Sequence, residues 1–142
     1  MRIADVLRAK GHEVATISPD TTVSELLSVL AQRNIGAMVV LGEEAVVGIV
    51  SERDVVRRMH ERGAALLDAP VSEIMTAMVA TCTPDDTVDD LTQVMTTRRI
   101  RHVPVISNGE LSGIVSIGDV VKSRMDELQH TKEQLEAYIV QG

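Results

Sequence analysis

The chain has 142 residues, 44% of them hydrophobic, which suits one domain built from two halves. Its 21 Asp and Glu outnumber 14 Lys and Arg, and the net charge of −7 excludes a general nucleic-acid binder, whose affinity comes from neutralising phosphates. A lone tyrosine removes the aromatic platforms that stack single strands, and the one cysteine, Cys82, excludes an intrachain disulfide or a cysteine-based metal site.

In chain order, the first element is a short amphipathic piece, Ile3-Ala-Asp-Val-Leu7. An extended stretch, Val14–Ser18, then meets a Pro19-Asp20 turn. Thr22-Val-Ser-Glu25 is a capping box that opens a helix with Val23, Leu26, Leu27 and Leu30 on one face. Two apolar strands follow, Ala37–Leu41 and Ala45–Val50, and a second helix starts at Ser51.

The segment from Val14 to Val56 returns without a gap as Val79 to Val121, sixty-five positions later. Val-Ala-Thr, Pro-Asp, Thr-Val and the motif Gly48-Ile-Val-Ser51-x-x-Asp54 all recur, the last as Gly113-Ile-Val-Ser116-x-x-Asp119. Each copy is a β-α-β-β-α unit that needs its neighbour to bury its apolar face. In the second copy the extended stretch is Val79–Thr83 and the cap is Thr87-Val-Asp-Asp90. Its strands are His102–Ile106 and Leu111–Val115, joined by Asn108-Gly109, a hairpin signal. The segments 1–66 and 67–142 divide the chain into its two repeats, linked through Arg62–Pro70.

The amphipathic piece ahead of the first copy pairs with Val71-Ser-Glu-Ile-Met75 at an offset of sixty-eight, so Arg8–Glu13 holds three extra residues. Two matched sites should differ near this break. The last helix runs to about Val140, with Val121, Met125, Leu128, Leu135 and Ile139 in a seam that either forms a dimer or packs on its own body.

Ser-x-x-Asp is itself a capping box, which accounts for both residue types without a ligand. The same helix start also suits a phosphate, and an Asp in the first turn can accept both hydroxyls of a ribose. Arg98-Arg-Ile-Arg-His102 is the second signal, either a solvated helix end or a phosphate grip. The first copy has Arg33-Asn-Ile-Gly-Ala37 at this place, so the cluster is not a requirement of the fold, which favours a role for Arg99, Arg101 and His102. Arg53 aligns with Gly118 and Lys10 lies in the three-residue excess, which makes both further asymmetric candidates. No catalytic constellation or metal-ligand spacing is present, and Asp85-Asp86 and Asp89-Asp90 sit at a helix start where acids belong. Cys82, opposite Ile17, reads as a small buried hydrophobe. Without a leading apolar segment or a run of about eighteen apolar residues, a soluble, cytoplasmic protein with no membrane partner is expected.

Tandem β-α-β-β-α units carrying Gly-h-h-Ser-x-x-Asp (h apolar) resemble a pair of cystathionine β-synthase (CBS) domains, together a Bateman module. Lys10-Gly11, Ser51-Glu-Arg-Asp54, Arg98–His102 and Ser116-Ile-Gly-Asp119 narrow the resemblance to bacterial stand-alone CBS-pair proteins. The resemblance implies an α/β (α+β) fold of two pseudo-symmetric repeats packed sheet to sheet, plus the long C-terminal helix. It implies a non-enzymatic module that binds AMP, ADP, ATP, NAD(H) or S-adenosylmethionine between the repeats, with no catalytic cofactor and no metal. Asp54 and Asp119 would hold ribose, with Ser51 and Ser116 beside it. Thr16, Ile17, Thr81 and Cys82 would meet adenine. Gly36, Ala37 and Met38, with Arg101, His102, Val103 and Pro104, would line the cleft. Such modules pair into homodimers and signal to a regulated protein. The alternative is a structural or protein-interaction dimer module without a ligand.

Overall fold

Helix starts inside the two repeats are fixed by threonine and serine caps, and the two copies use them in the same order. In the computed structural model, which describes residues 1–77 and 79–141, helix α1 spans Ile3–Lys10 and strand β1 spans Thr16–Ile17. Helix α2 (Val23–Arg33) is capped by Thr22, whose Oγ1 accepts from the Glu25 amide at 3.2 Å. Strands β2 (Ala37–Leu41) and β3 (Val46–Ser51) lead into α3 (Glu52–Arg62). The second copy gives α4 (Val88–Arg98), β4 (His102–Ser107), β5 (Glu110–Ser116) and the long α5 (Ile117–Gln141). Thr87 caps α4 by the same amide bond, to Asp90 at 3.1 Å. For both threonines the cap is this half of the expected box, and the complete reciprocal form belongs to Ser51–Asp54 and Ser116–Asp119.

The first sheet has order β1-β2-β3, with β1 parallel and β3 antiparallel to β2. The second is the β4–β5 hairpin, closed by Asn108 (φ 53°) and Gly109 (φ 81°) as the Asn-Gly pair demands. The extended stretches expected ahead of each turn are shorter than their sequence suggests. Val14–Ser18 contributes the two residues of β1, and Val79–Thr83 contributes one parallel bridge, Cys82 to Val105. Both hairpins line a common groove through Leu41 and Val46 on one side and Ile106 and Leu111 on the other.

Cores and chain segments do not coincide. The core under α2 and β2 is completed by Leu66, Ala69, Val71 and Ile74 from the connection between the repeats. The core under α4 and β4 is completed by Ile3, Val6 and Leu7 from α1. Both closures use the same bonds, with partners displaced by sixty-five and sixty-eight positions. Val23 N–H donates to Ala69 C=O (2.9 Å) as Val88 N–H does to Met1 C=O (3.0 Å). Val71 N–H donates to Thr21 C=O (2.8 Å) as Ile3 N–H does to Asp86 C=O (2.9 Å). The two offsets in the sequence thus record one device: the segment in front of each repeat closes the core of the other.

The glycine of each Gly-h-h-Ser-x-x-Asp motif serves this closure. A Cβ on Gly113 would lie 2.7 Å from Leu7 Cδ2, and one on Gly48 would lie 2.6 Å from Met75 Sδ and 2.9 Å from Thr76 C=O. Leu7 and Met75 are counterparts at the offset of sixty-eight, so each glycine is the floor on which the closing segment rests. Gly113→Ala is expected to cost about 1–3 kcal/mol by overpacking, and Leu7→Ala about 2–5 kcal/mol by leaving a cavity. Combining them should cost less than the sum by at least about 0.5 kcal/mol, because the smaller side chain makes room for the new methyl. Strict additivity in urea denaturation of the four proteins would refute the contact.

Candidate nucleotide site

Ser51 and Asp54 are held in place by the start of α3. Asp54 Oδ2 accepts from the Ser51 amide at 2.8 Å and from Ser51 Oγ at 3.0 Å, while the Asp54 amide donates back to Ser51 Oγ at 3.4 Å. The Glu52 amide donates to Gly36 C=O at 3.0 Å, which ties the helix start to the α2–β2 loop. Two amides of the first turn are therefore already engaged within the chain. The helix start offers an anion fewer free N–H groups than a bare N-terminus would, which leaves more to the side chains around it. Among the described hydrogen bonds the carboxylate uses Oδ2, and Oδ1 remains an acceptor.

Those side chains converge. A cleft of about 290 Å³ is lined by Ala37, Ile49, Ser51, Arg53, Asp54, Arg57 and Thr76 from one half and by Arg98, Arg99, Ile100, Arg101 and His102 from the other. Five arginines surround one aspartate in a chain of net charge −7. Arg99 sits at the C-cap of α4 in the left-handed region (φ 55°), where the first copy has Asn34 (φ 53°). Asparagine tolerates that conformation better than arginine, so the guanidinium is kept at a small conformational cost. The cleft shares Ile49, Thr76, Arg98, Ile100 and His102 with an adjoining recess of about 220 Å³ that adds Val79 and Ala80. A cationic mouth with one carboxylate thus opens onto an apolar end.

His102 stands between the two Ser-x-x-Asp motifs, in β4 and in register with Ser116 of β5. Burial lowers its pKa below the ordinary histidine value, Lys10 and Arg101 lower it further, and Asp119 and Glu52 oppose them.

The second motif is built alike but finished differently. Asp119 Oδ2 accepts from the Ser116 amide (2.8 Å), the Asp119 amide donates to Ser116 Oγ (3.1 Å), and the Ile117 amide donates to Arg101 C=O (2.8 Å). Here Lys10 Nζ, at the end of α1, donates to Asp119 Oδ2 (2.5 Å) and to Ile114 C=O (2.7 Å). Burial raises the Asp119 pKa, but the Lys10 and Ser116 hydrogen bonds outweigh it and hold the carboxyl below its usual range. The asymmetry expected from the longer Arg8–Glu13 segment falls at this ammonium.

The other anticipated residues divide. Ile17 and Met38 are buried in the first core, Cys82 and Val103 in the second, and Pro104 is buried beside Val103, so their side chains are core rather than cleft. What they offer a ligand is main chain, and some of that is taken: Pro104 C=O accepts the Cys82 amide at 3.0 Å. Burial, with Asp86 adding to it, pushes the Cys82 thiol up to about 12, as suits an inert hydrophobe. Thr16 is exposed, and Thr81 lines the groove between the hairpin tips, not the arginine cleft. Sequence reasoning passed over Arg57, Thr76, Ile49, Ile100, Val79 and Ala80. Helical spacing four residues after Arg53 could have flagged Arg57, and Ile49 and Ile100 lie inside the two motifs; nothing local marks Thr76, Val79 and Ala80, which meet the cleft only through the closure of the halves. Among the described residues no group of three or more metal-ligating side chains forms, and no helix is long and apolar enough to cross a membrane.

The CBS domain family model matches residues 3–61 and 71–126. The CBS domain-containing protein CBSX3, mitochondrial, of Arabidopsis thaliana is 38% identical over 149 residues, an alignment covering 99% of this chain and 72% of that protein. The crystal structure of the CBS-domain containing protein ATU1752 from Agrobacterium tumefaciens superposes with a TM-score of 0.85 at 45% identity, covering 87% of this chain and 99% of that one. The CBS domain protein PAE2072 from Pyrobaculum aerophilum, solved in complex with AMP, gives a TM-score of 0.74 at 30% identity over 84% of this chain and 89% of that one. With two family matches in tandem and these relatives spanning nearly its whole length, the chain belongs to the CBS domain family as a CBS pair.

Proposed function

We propose that this CBS pair is a soluble, cytoplasmic, non-enzymatic regulatory module that binds an adenine nucleotide, AMP, ADP, ATP or NAD(H), in the cleft around Asp54. Ligand state is then passed to a regulated protein. The observation that carries this is the joint placement of one ribose-competent carboxylate, five arginines and an apolar recess in one continuous cleft. Asp54 Oδ1 accepts from the ribose diol, the guanidiniums take phosphate by charge-assisted bonds, and Ile49, Val79, Ala80 and Ile100 enclose the base. The AMP complex of PAE2072 is in keeping with that chemistry. A capping role alone explains Ser51 and Oδ2 of Asp54, but it leaves the ring of arginines without a reason.

A nucleotide at a hundred times its dissociation constant should add about 2.7 kcal/mol of stability. Asp54→Asn, which keeps an acceptor for the cap, should weaken AMP by about tenfold or more through loss of charged hydrogen bonds. Arg99→Ala with Arg101→Ala should weaken AMP while sparing adenosine. If AMP, ATP, NADH and S-adenosylmethionine all leave the melting temperature unmoved, the reading fails.

The depressed pKa of His102 gives a signed expectation. In the unfolded chain histidine takes a proton near pH 6.5, whereas in the folded chain it resists until lower pH. Its contribution to stability is therefore complete above the unfolded value and is lost as pH falls through the folded one. A bound diphosphate favours the imidazolium, so NAD affinity should rise as pH falls from neutrality through the ordinary histidine value of about 6.5 and below. His102→Gln should flatten that dependence, as read by calorimetry. An unchanged slope would exclude His102 from the site.

Homodimer formation has its own support. Val121, Met125, Leu128, Leu135 and Ile139 along α5 are all exposed, at 51% to 73%, so the seam does not pack on its own body. Val56 of α3, the counterpart of Val121, is exposed as well at 68%. An apolar stripe of this length suits a second copy of the helix. Light scattering should give a dimer for the parent and a monomer for Leu128→Asp combined with Leu135→Asp. A monomeric parent would refute the dimer.

A further inference from the structure

The bonds that fasten the extended stretch of each repeat to its neighbouring strand recur with one exception. In the first copy β1 runs parallel to β2 with Ile17 in register with Val40, and Val39 N–H donates to Ala15 C=O at 3.1 Å. In the second copy Cys82 takes the same register with Val105. Its amide donates to Pro104 C=O (3.0 Å) and its carbonyl accepts from the Ile106 amide (2.8 Å). The counterpart of Val39 is Pro104, which has no N–H to give. Ala80 C=O, the counterpart of Ala15 C=O, therefore loses the strand partner that its register provides. Among the described hydrogen bonds no donor reaches this carbonyl, and the Ala80 amide beside it finds no acceptor. Ala80 is half-buried and walls the recess behind the arginine cleft, together with His102, two residues ahead of Pro104.

We propose that Pro104 is a specificity-determining residue of the Asp54 site, one that keeps the Ala80 main chain free to select a purine with a 6-amino group. The inference rests on the nucleotide-binding reading above and names the feature of the base that this site reads. Pro104 is itself buried and acts through Ala80, by withholding a hydrogen-bond donor and not by touching the ligand. The freed carbonyl accepts from the 6-amino group of adenine, and the neighbouring amide donates to a ring nitrogen. Hypoxanthine and guanine carry an oxygen at the 6-position, so acceptor meets acceptor and the carbonyl stays unpaired. In a recess walled largely by apolar side chains that mismatch is poorly relieved by water. The first copy offers no such reader, because Val39 already occupies Ala15 C=O. Base selection thus belongs to the Asp54 side alone.

The test uses the full-length chain with Asp119→Asn, so that the second site is weakened, and titrates AMP and inosine 5′-monophosphate (IMP) by calorimetry. These ligands share ribose and phosphate and differ at the 6-position, so the ratio of their affinities reads the base alone. AMP should be preferred by about tenfold or more. Pro104→Val, which installs the residue of the first copy, and Pro104→Ala each restore an amide opposite Ala80 C=O. Both should shrink the preference to about threefold or less, chiefly by weakening AMP. Melting curves of each variant establish that it is folded. A preference that survives both substitutions in folded protein overturns the proposal. Equal binding of AMP and IMP before either substitution overturns it without need of a variant, and leaves the nucleotide reading intact. Loss of all binding on Asp119→Asn alone overturns it too, since the nucleotide then sits elsewhere. A wild-type chain that binds neither ligand removes the reading on which the proposal stands, and the proposal with it.

Discussion

Everything in this molecule depends on reciprocal closure. Neither repeat owns the apolar segment that seals it: α1 seals the core around Val88, Leu91 and Val103, and the connection between the repeats seals the core around Val23, Leu26 and Val40. A half of this size is marginal alone, because too little of its surface is buried. Exchange of the sealing segments makes the two halves one cooperative body. It also fixes where the halves meet, and so sets the cleft in which Arg99, Arg101 and His102 confront Asp54.

The same closure makes the sites unequal. Ile3–Leu7 and Val71–Met75 play one part, but the first opens the eight-residue α-helix Ile3–Lys10 and the second begins as a single short 3-10 turn. Three extra residues extend α1 until Lys10 overlies β5. Where the second copy receives an ammonium, the first receives the Thr76 backbone. Three more residues in one linker thus give two copies of one motif different electrostatics, with no change to Ser-x-x-Asp itself.

In the proposed nucleotide module that motif has two jobs that do not compete. One carboxylate oxygen and the serine complete the helix cap, which fixes the side chain's position before any ligand arrives. The other oxygen is left to act outward at Asp54, and a pre-positioned acceptor loses little freedom on binding. The motif's glycine belongs to the packing of Leu7 and Met75.

The repeat, the helix caps, the Asn-Gly hairpin and the long last helix could all be read from residue order, because each is decided by neighbours a few positions apart. Ser51, Asp54, Ser116 and Asp119 were legible for the same reason, and the surplus of base at Arg98–His102 stood out against an acidic chain. The side chains of Ile17, Met38, Cys82 and Val103 lie in the two cores and leave only main chain to offer a ligand, since strand position alone does not tell which face a closing segment will cover. Arg57, Thr76, Val79 and Ala80 joined the cleft only when the halves came together. By itself the sequence determined two capped β-α-β-β-α units and their imperfect symmetry. Tertiary structure alone decided which segment seals which core, and through that, which charge reaches which aspartate, because those pairings link residues as far apart as Lys10 and Asp119.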